Sequence, residues 1–260
     1  MADLEYTAAD GVGTILLNRP ARKNAFTLEM IDDWAAAIRS ARFDPEVRVL
    51  VLTGAPGAFC SGVDLADFTS GDKTVLDHKQ VLTERIHQVP LALEDFDKPV
   101  LAAVGGVAVG AGMDMALMCD IRFAGESARF SEGYIKVGLV PGDGGCYYLP
   151  RLVGTAKALE LLWTGDFIDA RTAVELGIAS YRYPDDELLE RTYAFARRLA
   201  DAPPVAVRAI KRTVMQSART DLRTSLDLIS SHMAVVQSTD DSAEAMAAFR
   251  DKRTPTFRGR

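Results

Sequence analysis

Residues 98–145, KPVLAAVGGVAVGAGMDMALMCDIRFAGESARFSEGYIKVGLVPGDGG, decide how the rest of this chain is read. The apolar run from Val100 to Val104, bounded by Pro99 and by Gly105 and Gly106, predicts a buried strand. A second small-residue cluster, Gly110-Ala111-Gly112, leads into MDMALMCD, whose apolar residues all round predict a short buried helix. Strand, glycine-rich turn and helix in that order gather unpaired backbone N–H groups and the positive end of a helix dipole at one spot. Such a spot attracts an anion. Asp114 lies two residues beyond Gly112, among Met, Ala, Leu and Cys. A carboxylate in those surroundings needs a partner or a task.

Upstream, APGAFCSGVDL repeats the device: the predicted strand 47–53 ends at Gly54, and Cys60-Ser61-Gly62-Val63-Asp64 forms a second small-residue turn. Each glycine cluster, taken alone, fits a tight turn or close packing. Two of them on two strand ends match the geometry of an oxyanion hole, where removing one donor costs about 2.7–4 kcal/mol of transition-state stabilisation. Neither supplies GxGxxG with an acid ~20 residues on, so a dinucleotide site is disfavoured.

Around this centre, Leu4 to Ala8 and Thr14 to Asn18 read as a hairpin across an Asp-Gly turn. Thr27 is placed to cap a helix carrying Met30, Ile31, Trp34, Ile38 and Ala41. Residues 70–97 are polar and read as helix, loop or both. Residues 147–163 and 170–177 have helical periodicity, and from Asp185 onward successive amphipathic helices are expected, through residue 238. Strand residues dominate before about residue 180 and helices after it, so a layered αβ core with a helical C-terminal portion is expected.

At 260 residues and 48% hydrophobic content the chain has ample core. The net charge of −6 argues against nucleic acid as the main partner. No apolar run approaches the ~20 residues of a membrane span, and the first residues lack a signal peptide's pattern, so a cytoplasmic location is expected. Cys60, Cys119 and Cys146 imply neither a disulfide framework nor a zinc site.

Several motifs in order, FCSGVDL, the KPVLAAVGG to MCDIRFAGESARF run, GLVPGDGG and LPRLVG, resemble the crotonase superfamily of enoyl-CoA hydratases and isomerases. The likeness runs from LNRPARKNAF to AFRDKRTPTFRG. It implies an α/β fold: a crotonase-type spiral core of ββα units over residues 1–195, and a helical C-terminal region, 196–260, making trimer contacts within the same domain. The implied assembly is a homotrimer or a hexamer of two trimers. The implied substrate is an acyl-CoA thioester, with coenzyme A as part of the substrate and no metal or further cofactor. The oxyanion-hole positions fall on Val63 and Ala111. Arg22, Lys23 and Ser61 fall near the CoA nucleotide, with Phe249 and Lys252 as further candidates; a solvated charge run is the alternative for Lys252.

Departures from the family pattern shape the expected chemistry. Hydratases of the family place two glutamates to hold a water; here those positions are Asp114 and Tyr134. Related isomerases place an acid in the turn corresponding to VPGD, aligned with Gly142, one residue before Asp143. Asp114 and Asp143 are therefore the candidate acid and base, with Tyr134 expected to line the acyl pocket. Asp143 reads alternatively as a turn or cap residue, Asp120 as structural, and Glu132 as a solvent-exposed loop residue. The residues lean toward double-bond isomerisation over hydration. Thioester hydrolysis, another specialised crotonase reaction, or a CoA-binding assembly role without catalysis are the competing readings.

Overall fold

In the computed structural model, which describes residues 2–68 and 74–260, the chain opens on the expected hairpin. Strand β1 (Leu4–Ala9) and β2 (Val12–Leu17) pair antiparallel from Leu4↔Leu17 to Ala9↔Val12. Asp10 and Gly11 take φ of 51° and 77°, the mirror-image turn whose twist suits a hairpin. Thr27 then caps α1 (Leu28–Phe43), its side chain accepting from the Met30 N–H and satisfying a donor the helix start leaves open.

A repeated unit follows: a long strand, a short strand, then helix. The first is β3 (Val49–Gly54), β4 (Ala58–Cys60), and a helical connection of α2 (Leu65–Phe68), α3 (Val75–Gln80), a π-helical turn (Val81–Ile86) and α4 (Gln88–Glu94). The second is β5 (Val100–Val104), β6 (Val107–Val109) and α5 (Ala111–Leu117). The third is β7 (Ile121–Gly125), β8 (Arg129–Ser131), a 3-10 turn (Gly133–Val137) and α6 (Gly145–Val153). Beyond it come α7 (Thr155–Thr164), β9 (Ile168–Asp169), α8 (Ala170–Glu175) and β10 (Tyr181–Tyr183). The long strands form a six-stranded sheet, β1-β2-β3-β5-β7-β10, parallel except for the hairpin. The short ones form a second sheet, β4-β6-β8-β9, in which only β8 and β9 run antiparallel.

Because side chains alternate along a strand, β3 is buried on both faces. Leu50 and Leu52 enter the main core with Phe26, Trp34 and Phe59. Val49 and Val51 join Leu101, Ala103 and Phe123 on the other face, beneath Leu188, Ala196 and Ala200 of α9 (Leu188–Ala200). Helices α10 (Pro204–Ser217), α11 (Leu222–Gln237) and α12 (Asp240–Asp251) complete the chain and leave Ile210, Val214, Leu226 and Met233 exposed. Among the described residues no helix is long and apolar enough to cross a membrane.

The mixed α/β spiral and the helical C-terminal region thus match expectation; two boundaries do not. The helical stretch expected over 147–163 breaks at Gly154, whose φ of 78° and ψ of 160° suit glycine and end the helix. Helix α12 escapes the hydrophobic period because its residues are small and acidic; the Thr239 cap, accepting from Ser242 N–H, sets its start.

Candidate active site

The two glycine-led turns meet because the short strands before them are neighbours. Strands β4 and β6 pair parallel, Ala58↔Val107 and Cys60↔Ala108, so their C-terminal ends lie side by side. At Gly62, φ is 95°, and a β-carbon there would stand 2.9 Å from the Val109 carbonyl oxygen and 3.6 Å from the Ala111 nitrogen. Only a residue without a side chain lets the turns approach so closely. Phe26 N–H donates to Gly62 O (3.0 Å) and Asp64 N–H to Phe26 O (2.8 Å), a single parallel bridge that leaves the Val63 N–H facing away from Phe26. Ala111 is the first residue of α5, where the N–H has no acceptor inside the helix. Among the described residues neither amide donates a hydrogen bond within the chain, and both border one cavity of about 510 Å³ with Arg22, Ser61, Tyr134 and Leu139.

Behind the cavity lies a cluster of acids. Every residue of α5 is buried, Asp114 completely. The Tyr134 hydroxyl oxygen stands 2.8 Å from Asp114 Oδ2 and 2.8 Å from Asp143 Oδ2. A hydroxyl carries one hydrogen, so it donates to one carboxylate while the other carboxyl, protonated, donates to it. Burial, then the charge of Asp143, pushes Asp114 up to about 7, against the hydrogen bond from Tyr134. Burial likewise lifts Asp143 to about 6, with the Tyr134 hydrogen bond and nearby His87 holding it down. Tyr134 itself is driven well above its ordinary range by burial and the two aspartates, so it remains a phenol. His87 Nε2 lies 2.9 Å from Gly142 O and fastens the VPGD turn.

Asp143 is no helix cap, since α6 starts after Gly144 without a side-chain cap; it joins Asp114 at the Tyr134 hydroxyl, and of these three only Tyr134 borders the cavity itself. Asp120 is structural, accepting from Val100 N–H (2.7 Å) and pairing with Lys211 (2.8 Å). Tyr134 borders the cavity, and its hydroxyl also bridges the two aspartates, a contact the sequence reading did not include. The expectation for Glu132 is overturned: it is 1% exposed, and neither carboxyl oxygen has a hydrogen-bond partner among the described residues. Glu132 follows β8 as the residue before the 3-10 turn, and like Phe130 and Ser131 ahead of it, it is covered by packing from other elements. A β-carbon on Gly145 would sit 3.0 Å from both Glu132 oxygens, so the bare α6 start makes room for the side chain.

At the mouth, Ser61 N–H donates to Lys23 O (3.0 Å) and Ser61 Oγ to Arg22 O (3.2 Å), which gathers the CoA candidates Arg22, Lys23 and Ser61. Buried Asn24 holds that loop: its side chain donates to Ala55 O (2.9 Å) and Ala58 O (2.7 Å) and accepts from Arg19 N–H (2.9 Å). Phe249, 84% exposed, and Lys252 lie at the end of α12 and do not border the cavity.

The profile of the enoyl-CoA hydratase/isomerase family matches residues 7–260. This chain belongs to the enoyl-CoA hydratase/isomerase family. It is 34% identical to the 2,3-dehydroadipyl-CoA hydratase of Escherichia coli (strain K12) over all of both chains. With the 1,2-epoxyphenylacetyl-CoA isomerase of the same organism it shares 36% identity over 96% of each. Its fold superposes on the crystal structure of an enoyl-CoA hydratase from Bacillus anthracis with a TM-score of 0.94, at 31% identity and full coverage of both chains.

Proposed function

We propose that the protein shifts the double bond of an enoyl-CoA thioester between conjugated and unconjugated positions. The observation that carries this reading is the place of the Tyr134 hydroxyl. Hydration needs a water held for attack by two groups, and here the space between the two aspartates is filled by the tyrosine oxygen, 2.8 Å from each. A 1,3-proton shift needs no water.

In this mechanism the thioester carbonyl oxygen accepts from the Val63 and Ala111 N–H groups, which stabilise the enolate as charge moves onto it. The ionised aspartate of the pair removes a proton from carbon 2. The other aspartate, protonated, returns one to carbon 4, and Tyr134 passes a proton between them to restore the start. Proton count and charge in the pair are conserved over the cycle. Coenzyme A is part of the substrate, its nucleotide end near Arg22, Lys23 and Ser61 with Phe249 and Lys252 as further candidates, and no other cofactor takes part. The exposed apolar residues of α10 and α11 are assigned to a homotrimer, or a hexamer of two trimers.

Hydration is the second reading, favoured by the full-length likeness to a named hydratase. Absorbance of the conjugated thioester separates the two. The signal is expected to rise from a 3-enoyl-CoA and to hold from crotonyl-CoA. Loss from crotonyl-CoA without a rise from the 3-enoyl-CoA overturns isomerisation in favour of hydration. Retained CoA binding with neither change points to a non-catalytic role.

A further inference from the structure

Glu132 is a third buried carboxyl in this site, and neither the two-aspartate mechanism nor the expected oxyanion hole uses it. It enters from the β8 end, and its side chain meets that of Asp114 over Gly145, where a β-carbon would overlap Asp114 Oδ1 and stand 3.0 Å from both Glu132 oxygens. Tyr134 occupies one oxygen of Asp114. The other, Oδ1, faces the Gly145 N–H as well as Glu132 without a well-formed hydrogen bond to either, and both oxygens of Glu132 are likewise buried without partners among the described residues. Two ionised carboxylates left so would add a second buried charge; one proton between them removes that charge and gives Asp114 Oδ1 a donor, with one Glu132 oxygen still unpartnered.

We propose that Glu132 is a positioning residue, kept as the neutral acid, which donates its proton in a hydrogen bond to Asp114 Oδ1 and so aims that carboxyl and stabilises its ionised form when it exchanges a proton.

The groups that face Glu132 support this assignment. Asp114 comes from α5, Asp143 from the turn before α6 and Cys146 from the first turn of α6, and all are acids. Burial first, and Asp114 second, drive the Glu132 carboxyl well above its ordinary range. Tyr134 and Glu132 then clasp Asp114 from opposite oxygens, one through a phenol and one through a carboxylic acid. A neutral donor on Oδ1 opposes the burial of Asp114 and keeps its ionisation within reach of neutral pH. The arrangement is a division of labour between acids: two exchange protons with the substrate, and the third keeps its own.

The proposal rests on Asp114 exchanging protons with the substrate, and the test separates failure of that reading from failure of this one. Glu132→Leu removes the donor and Glu132→Gln keeps an N–H donor of the same shape. For whichever enoyl-CoA turns over, the rising limb of kcat/KM against pH is expected to move up by about one pH unit or more in E132L and to stay within about 0.3 unit of wild type in E132Q. A structural filler would change thermal stability and leave the limb in place. An unmoved limb in E132L, or an equal displacement in both variants, overturns the proposal. Infrared difference spectra of wild type against E132Q at neutral pH report Glu132 without substrate and without need of E132L. Loss of a protonated-carboxyl band is the expected result, and loss of a carboxylate band overturns the assignment whatever reaction the enzyme catalyses.

Discussion

The α-carbon of Gly112 lies so close to the Cys60 carbonyl that any β-carbon at 112 would overlap that oxygen and come 2.9 Å from Cys60 Cβ. The first turn of α5 is thereby seated directly on the end of β4. Contact between two backbones fixes the separation of the Val63 and Ala111 amides more tightly than side-chain packing does. Gly112→Ala must drive β4 and α5 apart. With a donor displaced by ~1 Å, kcat/KM is expected to fall by about 10²-fold or more, with a smaller effect on KM alone. Steady-state kinetics beside a thermal melt checks this; wild-type kcat in a folded variant would remove the paired-amide site.

Tyr134→Phe removes the hydroxyl that bridges Asp114 and Asp143. The donor that lowers both carboxyl pKa values is lost and their mutual repulsion grows, so the rising limb of the pH profile moves to higher pH. Isomerisation is expected to drop by about 10²–10⁴-fold, the usual scale of a lost acid–base group. The vacated position suits a water, and conversion of crotonyl-CoA is expected to appear or increase. A variant with unchanged turnover and an unchanged limb contradicts the relay.

Burial of the aspartates has a cost in stability with a definite sign. Asp114 rises from 3.8 to about 7 and Asp143 from 3.8 to about 6 on folding. Between those limits the folded chain binds more protons than the unfolded chain, so these two groups make stability fall as pH rises from about 4 to about 7, and Glu132, held well above its ordinary range, extends the fall to higher pH. Asp114→Asn abolishes one ionisation. The variant is expected to be inactive yet more stable than wild type near pH 8, by on the order of a few kcal/mol, with the difference vanishing below about pH 4. Denaturant melts across this range measure it; parallel pH dependences in the two proteins would show that Asp114 is not the titrating group.

Asn24 ties the loop bearing Arg22 and Lys23 to the β3–β4 connection by two buried hydrogen bonds, and accepts a third, partly buried one from Arg19 N–H within the loop. Asn24→Ala strands two carbonyls and an N–H, and at about 1–3 kcal/mol for an orphaned group the expected loss is about 2–4 kcal/mol overall. Affinity for CoA is expected to weaken more than kcat falls, because the loop serves the nucleotide end. Melting and inhibition by free CoA test both halves; unaltered stability would mean the loop is held by other contacts.

Much of the fold was written in short-range patterns. The strand Val100–Val104 matches its apolar run residue for residue, Thr27 caps the helix its position promised, and Asp10-Gly11 makes the hairpin turn. Both strand-ending turns, with Val63 and Ala111, were also visible, since glycine placement and strand ends are local properties of the chain. What sequence left open was the inside of the site. Asp143 could be a cap, Tyr134 a pocket wall and Glu132 a solvated loop residue, because each role satisfies the same local chemistry. Their fates were decided by α5, the 3-10 turn and the start of α6, which arrive from separate stretches and enclose three carboxyls and a phenol together. Local sequence sets which face a residue takes and where a helix begins. Whether a polar group on that face meets water or another acid depends on long-range packing, and so only the tertiary structure turned four separate residues into one buried cluster.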